Sequence, residues 1–217
     1  MFKIENKFKK NKKNINFKKN IFLNKLYNIK TQHSENDGTL LGFWLYIMSD
    51  CIIFACLFIA YAILKNNSHN IFNKHKLFNL KFVTCNTLIL LTSSLTYGLS
   101  MIESNKNNIK NIIFWLKTTS ILGILFLSLE TYEIFKLIKI GAIPQKSAFL
   151  TSFFTIIIIH GIHIIFGIIW ILTLIIQIKK FGIQKNKQRL TCLSMFWHFL
   201  DIIWINIFTF IYLIGTL

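Results

Sequence analysis

Acidic residues are scarce in this chain: eight Asp and Glu stand against 25 Lys and Arg, a net charge of +17 over 217 residues. Proline and arginine each occur once, and no two of the four cysteines have a CxxC spacing. Each shortage excludes something. Basic soluble proteins of this charge usually bind nucleic acid, but they are not 53% apolar with 22 phenylalanines, so nucleic acid is not an expected partner. Without CxxC there is no metal or redox pair, and Cys51, Cys56, Cys85 and Cys192 read as reduced, buried, small apolar residues. The first 38 residues hold no apolar run, as a secretory signal would, and no arginine, as a mitochondrial presequence would, so the first apolar segment is expected to act as its own insertion signal. The decisive absence is of charge over distance. Several stretches of about 20 residues contain one ionisable group or none, the length that spans a hydrocarbon core. The chain reads as an integral membrane protein, which excludes a soluble enzyme, a transcription factor and a secreted disulfide scaffold.

The sequence predicts an all-α membrane bundle of five spans, at about residues 40–64, 82–102, 112–137, 149–178 and 190–216, preceded by a basic, disordered tail over residues 1–39. Trp44, Trp115, Trp170 and Tyr212 fall in the outer thirds of their spans, where interface-seeking aromatics sit. Basic residues of the tail, the 103–111 loop and the 179–189 loop number 17 on one side of the membrane, against six on the other. The positive-inside rule then puts the N-terminus in the cytoplasm and the C-terminus outside. The tail could dock on anionic lipid or an acidic partner. No internal repeat is visible, which weakens a transporter reading.

An ionisable side chain in a span costs a few kcal/mol and calls for a partner or a role. Asp50 and Asp201 fall at similar depth in the first and fifth spans. The stripe Ser194, Trp197, His198, Asp201, Trp204 and Phe208 is expected to face protein. His160 and His163 share a face of the fourth span with Gly167 and Trp170, and a glycine there lets another helix approach closely. Glu130 and Glu133 share a face toward the outer surface. Several chemistries are open to this set. Histidines on two helices, such as His163 and His198, could ligate haem as in a dihaem cytochrome b. HGIH lacks the glutamate of HExxH and no third ligand lies at motif spacing, so a zinc or iron site is not indicated. Asp50 and Asp201 could serve a small proton-coupled transporter or channel. The structural alternative is that these residues pair with one another, with lipid headgroups or with a neighbouring subunit.

Four segments carry a resemblance: GFWLYIMSDCIIF (42–54), LETYE (129–133), HGIHIIFGIIW (160–170) and SMFWHFLDIIWINIF (194–208). Together they resemble subunit III of the haem-copper oxidases. The form MSDCI, with Asp50 where cytochrome c oxidases usually carry Glu, is similar to the cytochrome o ubiquinol oxidase branch. The resemblance runs in register from about Gly42 to the C-terminus. It implies a non-catalytic subunit of a proton-pumping terminal oxidase in the respiratory chain of a bacterial inner membrane. On that basis the chain holds no cofactor, and haem and copper lie in subunit I. Its partners would be oxidase subunits I, II and IV and membrane phospholipids, and ubiquinol would meet it only through the complex. The residue corresponding to Asp50 is carbodiimide-reactive in the aa-type relatives, and the shorter Asp leaves that property open here. The buried polar set Asp50, Glu130, Glu133, His160, His163, His198 and Asp201 would then serve structure, lipid or subunit contact.

Overall fold

The structure, a computed structural model, describes residues 38–64, 80–141 and 147–213. Every regular element among them is helical: α1 (Gly38–Leu64), α2 (Leu80–Asn105), α3 (Ile109–Lys139), α4 (Ala148–Phe181) and α5 (Lys187–Ile207), which runs on into a π-helical turn at Phe208–Leu213. All five are long and apolar enough to cross a membrane, as the sequence predicts. Residues 1–37 of the expected basic tail, and residues 214–216 of the expected fifth span, lie outside the described residues. From Tyr46 onward the described residues form one compact unit.

Helices α2 to α5 run past the spans read from hydropathy, because backbone hydrogen bonding continues through polar residues until a turn interrupts it. Thus α4 includes Lys179 and Lys180 and stops only where Gly182 takes a φ of 77°, a conformation that favours glycine. The α2–α3 turn closes on Asn107 at φ 56°. It is braced by Glu103, whose carboxylate accepts from Lys106 Nζ at 3.0 Å and Asn111 Nδ2 at 3.1 Å. A turn this short makes α2 and α3 antiparallel neighbours, joined midway by the Thr96 and Thr119 hydroxyls at 2.8 Å.

The core gathers around α5, the most buried of the five helices. Trp197 and Trp204, seven residues apart on one face, are both almost fully buried. The Trp197 ring packs where two other helices have no side chain. A Cβ at Gly167 of α4 would lie 2.9 Å from its Cζ3, and one at Gly123 of α3 would lie 3.1 Å from its Cη2. Only glycine allows approach this close, so the small residues of α3 and α4 form the seat for the largest side chain of α5. The polar edge of each indole is also met. Trp197 Nε1 donates to Ser93 Oγ at 3.2 Å and Trp204 Nε1 to Thr87 Oγ1 at 3.1 Å, both on α2. Farther along, Tyr97 Oη donates to the Leu190 carbonyl at 2.9 Å, a third α2–α5 tie.

Three readings are corrected by this packing. Cys51, Cys56 and Cys85 are exposed and only Cys192 is buried; all four are free. The three sit on outward faces, where lipid would supply the apolar surroundings. Tyr212 is buried and hydrogen-bonded to Glu133, so it packs in the bundle instead of anchoring an interface. His198 is on the edge of the α5 stripe: at about 100° per residue it stands about 100° from Trp197, whereas Asp201 stands only about 40° away. Its side chain is accordingly 48% exposed.

Gly167→Ala is expected to destabilise the protein by about 1–3 kcal/mol, because the Trp197 ring has to shift out of its seat. Gly161→Ala meets only Leu127 Cδ2 at 3.9 Å and should be neutral or stabilising, since alanine is the better helix former. Melting midpoints of the two variants in detergent check the contrast, and equal midpoints would contradict it.

Candidate functional site

The seven polar residues singled out in the sequence fall into separate groups. Asp50 of α1 and His163 of α4 meet with Oδ2 and Nε2 3.7 Å apart, and the Tyr46 hydroxyl donates to Asp50 from one turn earlier. His163 Nδ1 lies 2.8 Å from the Ile159 carbonyl, four residues back. A carbonyl oxygen only accepts, so Nδ1 carries the proton of the neutral ring. A second proton, on Nε2, would make the ring cationic and turn the contact with Asp50 into an ion pair. Both nitrogens of His163 therefore face oxygen.

His160, one turn before, has no polar partner among the described residues. It is fully buried among rings, stacked on Trp204 at 5.4 Å between centroids and edge-on to Phe126 at 6.2 Å and Phe54 at 6.5 Å. Trp204 and Phe126 meet at 4.7 Å and 88°, so the imidazole takes one place in a packed aromatic layer. Asp201 is buried on α5, facing the Ser94 hydroxyl and His198, whose Nδ1 is 3.8 Å from Oδ2. That separation is longer than a hydrogen bond. Glu130 and Glu133 are buried on the stripe of α3 that includes Gly123 and Phe126. Glu133 accepts from Tyr212 on the π-helical turn, while neither Glu130 oxygen has a partner among the described residues.

His163 and His198 do not form a facing pair of free ligands, since His163 bonds the Ile159 carbonyl with its Nε2 3.7 Å from Asp50, and His198 lies half exposed beside Asp201. Among the described residues, no three His, Cys, Asp or Glu side chains are grouped so as to hold a metal ion. The sequence reading passed over the polar face of α2. Asn86, Thr87, Ser93, Ser100 and Ser104 are all buried there. With Val83, Leu90 and Tyr97 they complete a face that recurs every three or four residues, which was the available signal, and it was hidden because none of the five is ionisable.

Beside the Asp50 contact, Tyr46, Phe166, Ile169, Trp170, Thr173 and Phe196 line an apolar groove of about 440 Å³.

His160→Phe provides a test of what this arrangement does. If the ring is a packing element, phenylalanine fills the same layer and removes two unpaired buried nitrogens, so stability should hold or rise by up to about 1–3 kcal/mol. A fall in the melting midpoint would show that the imidazole nitrogens are used.

Comparison with known proteins adds to this geometry. Residues 9–216 match the family described as cytochrome c oxidase subunit III. The chain is 52% identical over 188 residues to cytochrome bo(3) ubiquinol oxidase subunit 3 of Buchnera aphidicola subsp. Schizaphis graminum, covering 86% of this chain and 99% of that one. It is 44% identical over 186 residues to the protein of the same name from Pseudomonas putida, covering 85% and 90%. Cytochrome c oxidase subunit 3 of Bacillus sp. strain PS3 is 37% identical over 182 residues, covering 83% and 88%.

Proposed function

The chain belongs to the cytochrome c oxidase subunit III family, and from that membership we propose that it serves as subunit III of a proton-pumping terminal ubiquinol oxidase in a bacterial inner membrane. The observation that carries this reading is the match along nearly the whole chain to proteins named as the third subunit of a ubiquinol oxidase, at 44% identity and above. A transporter or channel built on Asp50 and Asp201 is not favoured. The two carboxyls have different histidine neighbours, and the relatives are named as oxidase subunits.

The proposed role is non-catalytic. Haem and copper belong to subunit I, and ubiquinol meets this chain only through the complex. The bond of His163 Nδ1 to the Ile159 carbonyl, the Asp50 carboxyl 3.7 Å from its Nε2 and the enclosure of His160 by rings support that reading. What this chain supplies is a rigid bundle with apolar outer faces for subunits I, II and IV and for phospholipid. The groove beside Tyr46 and Trp170 suits an acyl chain, being lined almost entirely by apolar side chains. The proposed orientation, with the N-terminus in the cytoplasm and the C-terminus in the periplasm, is supported by the 17 against six basic residues on the two sides. The basic tail then meets the anionic cytoplasmic leaflet.

Three experiments test this. Purification of the tagged chain from membranes should bring down a haem-copper partner with quinol oxidase activity, and a chain that purifies alone would contradict the proposal. In the assembled complex, Asp50→Asn keeps a polar group beside His163 and Tyr46. It should leave haem content unchanged and cost no more than about twofold in quinol oxidation, because the redox chemistry resides in another chain. Complete loss of turnover in a fully assembled Asp50→Asn complex would mean that this chain holds an essential proton-transfer group. A C-terminal alkaline phosphatase fusion should be active, and an inactive one would reverse the topology.

A further inference from the structure

Two buried polar side chains on facing helices have no hydrogen-bond partner among the described residues. Asn86 of α2 is fully buried with Nδ2 and Oδ1 both unpaired, and Glu130 of α3 is 4% exposed with both carboxyl oxygens unpaired. Helix pairing sets them at similar depth. The antiparallel α2 and α3 are fixed midway by Thr96 with Thr119, and near one end by the rings of Phe82 and Tyr132, 6.2 Å apart. Asn86 follows Phe82 by one turn and Glu130 precedes Tyr132 by half a turn, so the two differ in depth by roughly 3 Å at 1.5 Å per residue. Each also lies on the inner stripe of its helix, Asn86 with Val83 and Leu90, Glu130 with Phe126 and Glu133.

An amide and a carboxyl removed from water and left unpaired cost much more than one hydrogen bond gains. Buried polar groups are almost always satisfied, and ordered internal water does this where the protein does not. From these residues we propose that Asn86 and Glu130 enclose an internal water site between α2 and α3. One ordered water accepts from the Asn86 Nδ2–H and donates to a Glu130 carboxyl oxygen. The two side chains offer four unpaired polar atoms, enough to hold a molecule that needs two to four partners. Glu133, one turn along, accepts from Tyr212 on the π-helical turn, so polar contacts continue from the site to the end of α5. This inference is independent of the oxidase reading, since it uses only the packing of the chain itself.

The direct test is a density map, resolved well enough to show ordered solvent, of the protein purified from membranes with the subunits that accompany it. A solvent peak within hydrogen-bond distance of both Asn86 and Glu130 is expected. A direct bond between the two side chains, with no peak between them, would overturn the site. A double-mutant cycle reads the same coupling in the same preparation. Asn86→Leu and Glu130→Leu each strand the other group, so each should lower the melting midpoint by about 3 °C or more. The double variant should lose less than the two single losses combined, and strict additivity would overturn the proposal. Should a leucine variant fail to accumulate, Glu130→Gln retains two hydrogen-bonding atoms and should keep the solvent peak; a folded Glu130→Gln protein without it would overturn the site as well.

Discussion

The seat of Trp197 on Gly123 and Gly167 is the contact on which the rest of the packing depends. It brings α3, α4 and α5 together at one level, and the Trp197 Nε1 bond to Ser93 adds α2. In a bilayer the hydrophobic effect does not drive helices together, because lipid is as apolar as a side chain. Association then rests on close packing and on hydrogen bonds that have no water to compete with them. Both come from the same indole: its face lies on two backbones bare of side chain, and its edge reaches a hydroxyl. Two turns along α5, Trp204 repeats the arrangement with Thr87, Phe126 and His160, so successive levels of the bundle are set by one stripe of tryptophans.

Seen against that packing, the ionisable residues are supporting parts. Three of those that lie within the bundle are placed by aromatic or hydroxyl neighbours: Asp50 by Tyr46, Glu133 by Tyr212, His160 by three rings. Their groups are distributed over several levels and do not converge on a reaction centre. A subunit that works by holding its neighbours needs this kind of interior, in which polar groups fix helix register and rotation while the outer faces stay apolar.

The five helices were legible because charge is the strongest signal a membrane sequence has, and its absence over about 20 residues has few other readings. The glycine at 167 was legible for the same kind of reason, as a gap on a face otherwise filled with bulky side chains. What was not legible was the azimuth of single residues. His198 and Asp201 share a stripe by spacing, yet a rotation of about 60° between them leaves one half exposed and the other buried. The inward face of α2 was missed because Asn86, Thr87 and Ser93 are neutral, and a reading keyed to ionisable groups does not register them. The seating of Trp197 needs residues from three helices, so no single segment announces it. Cys51, Cys56 and Cys85 show the same limit from the other side: an apolar segment tells that a residue avoids water, not whether protein or lipid surrounds it.

The central claim is that this chain supports a redox complex without carrying its chemistry. The most direct measurement is the initial rate of quinol oxidation, with the haem spectrum, of the oxidase purified from cells lacking this chain. The expected result is an unchanged haem spectrum and a substantial initial rate, with the complex losing activity or dissociating sooner than the intact one. An oxidase with full haem content and no initial quinol oxidation, restored only when this chain is added back, would contradict the claim.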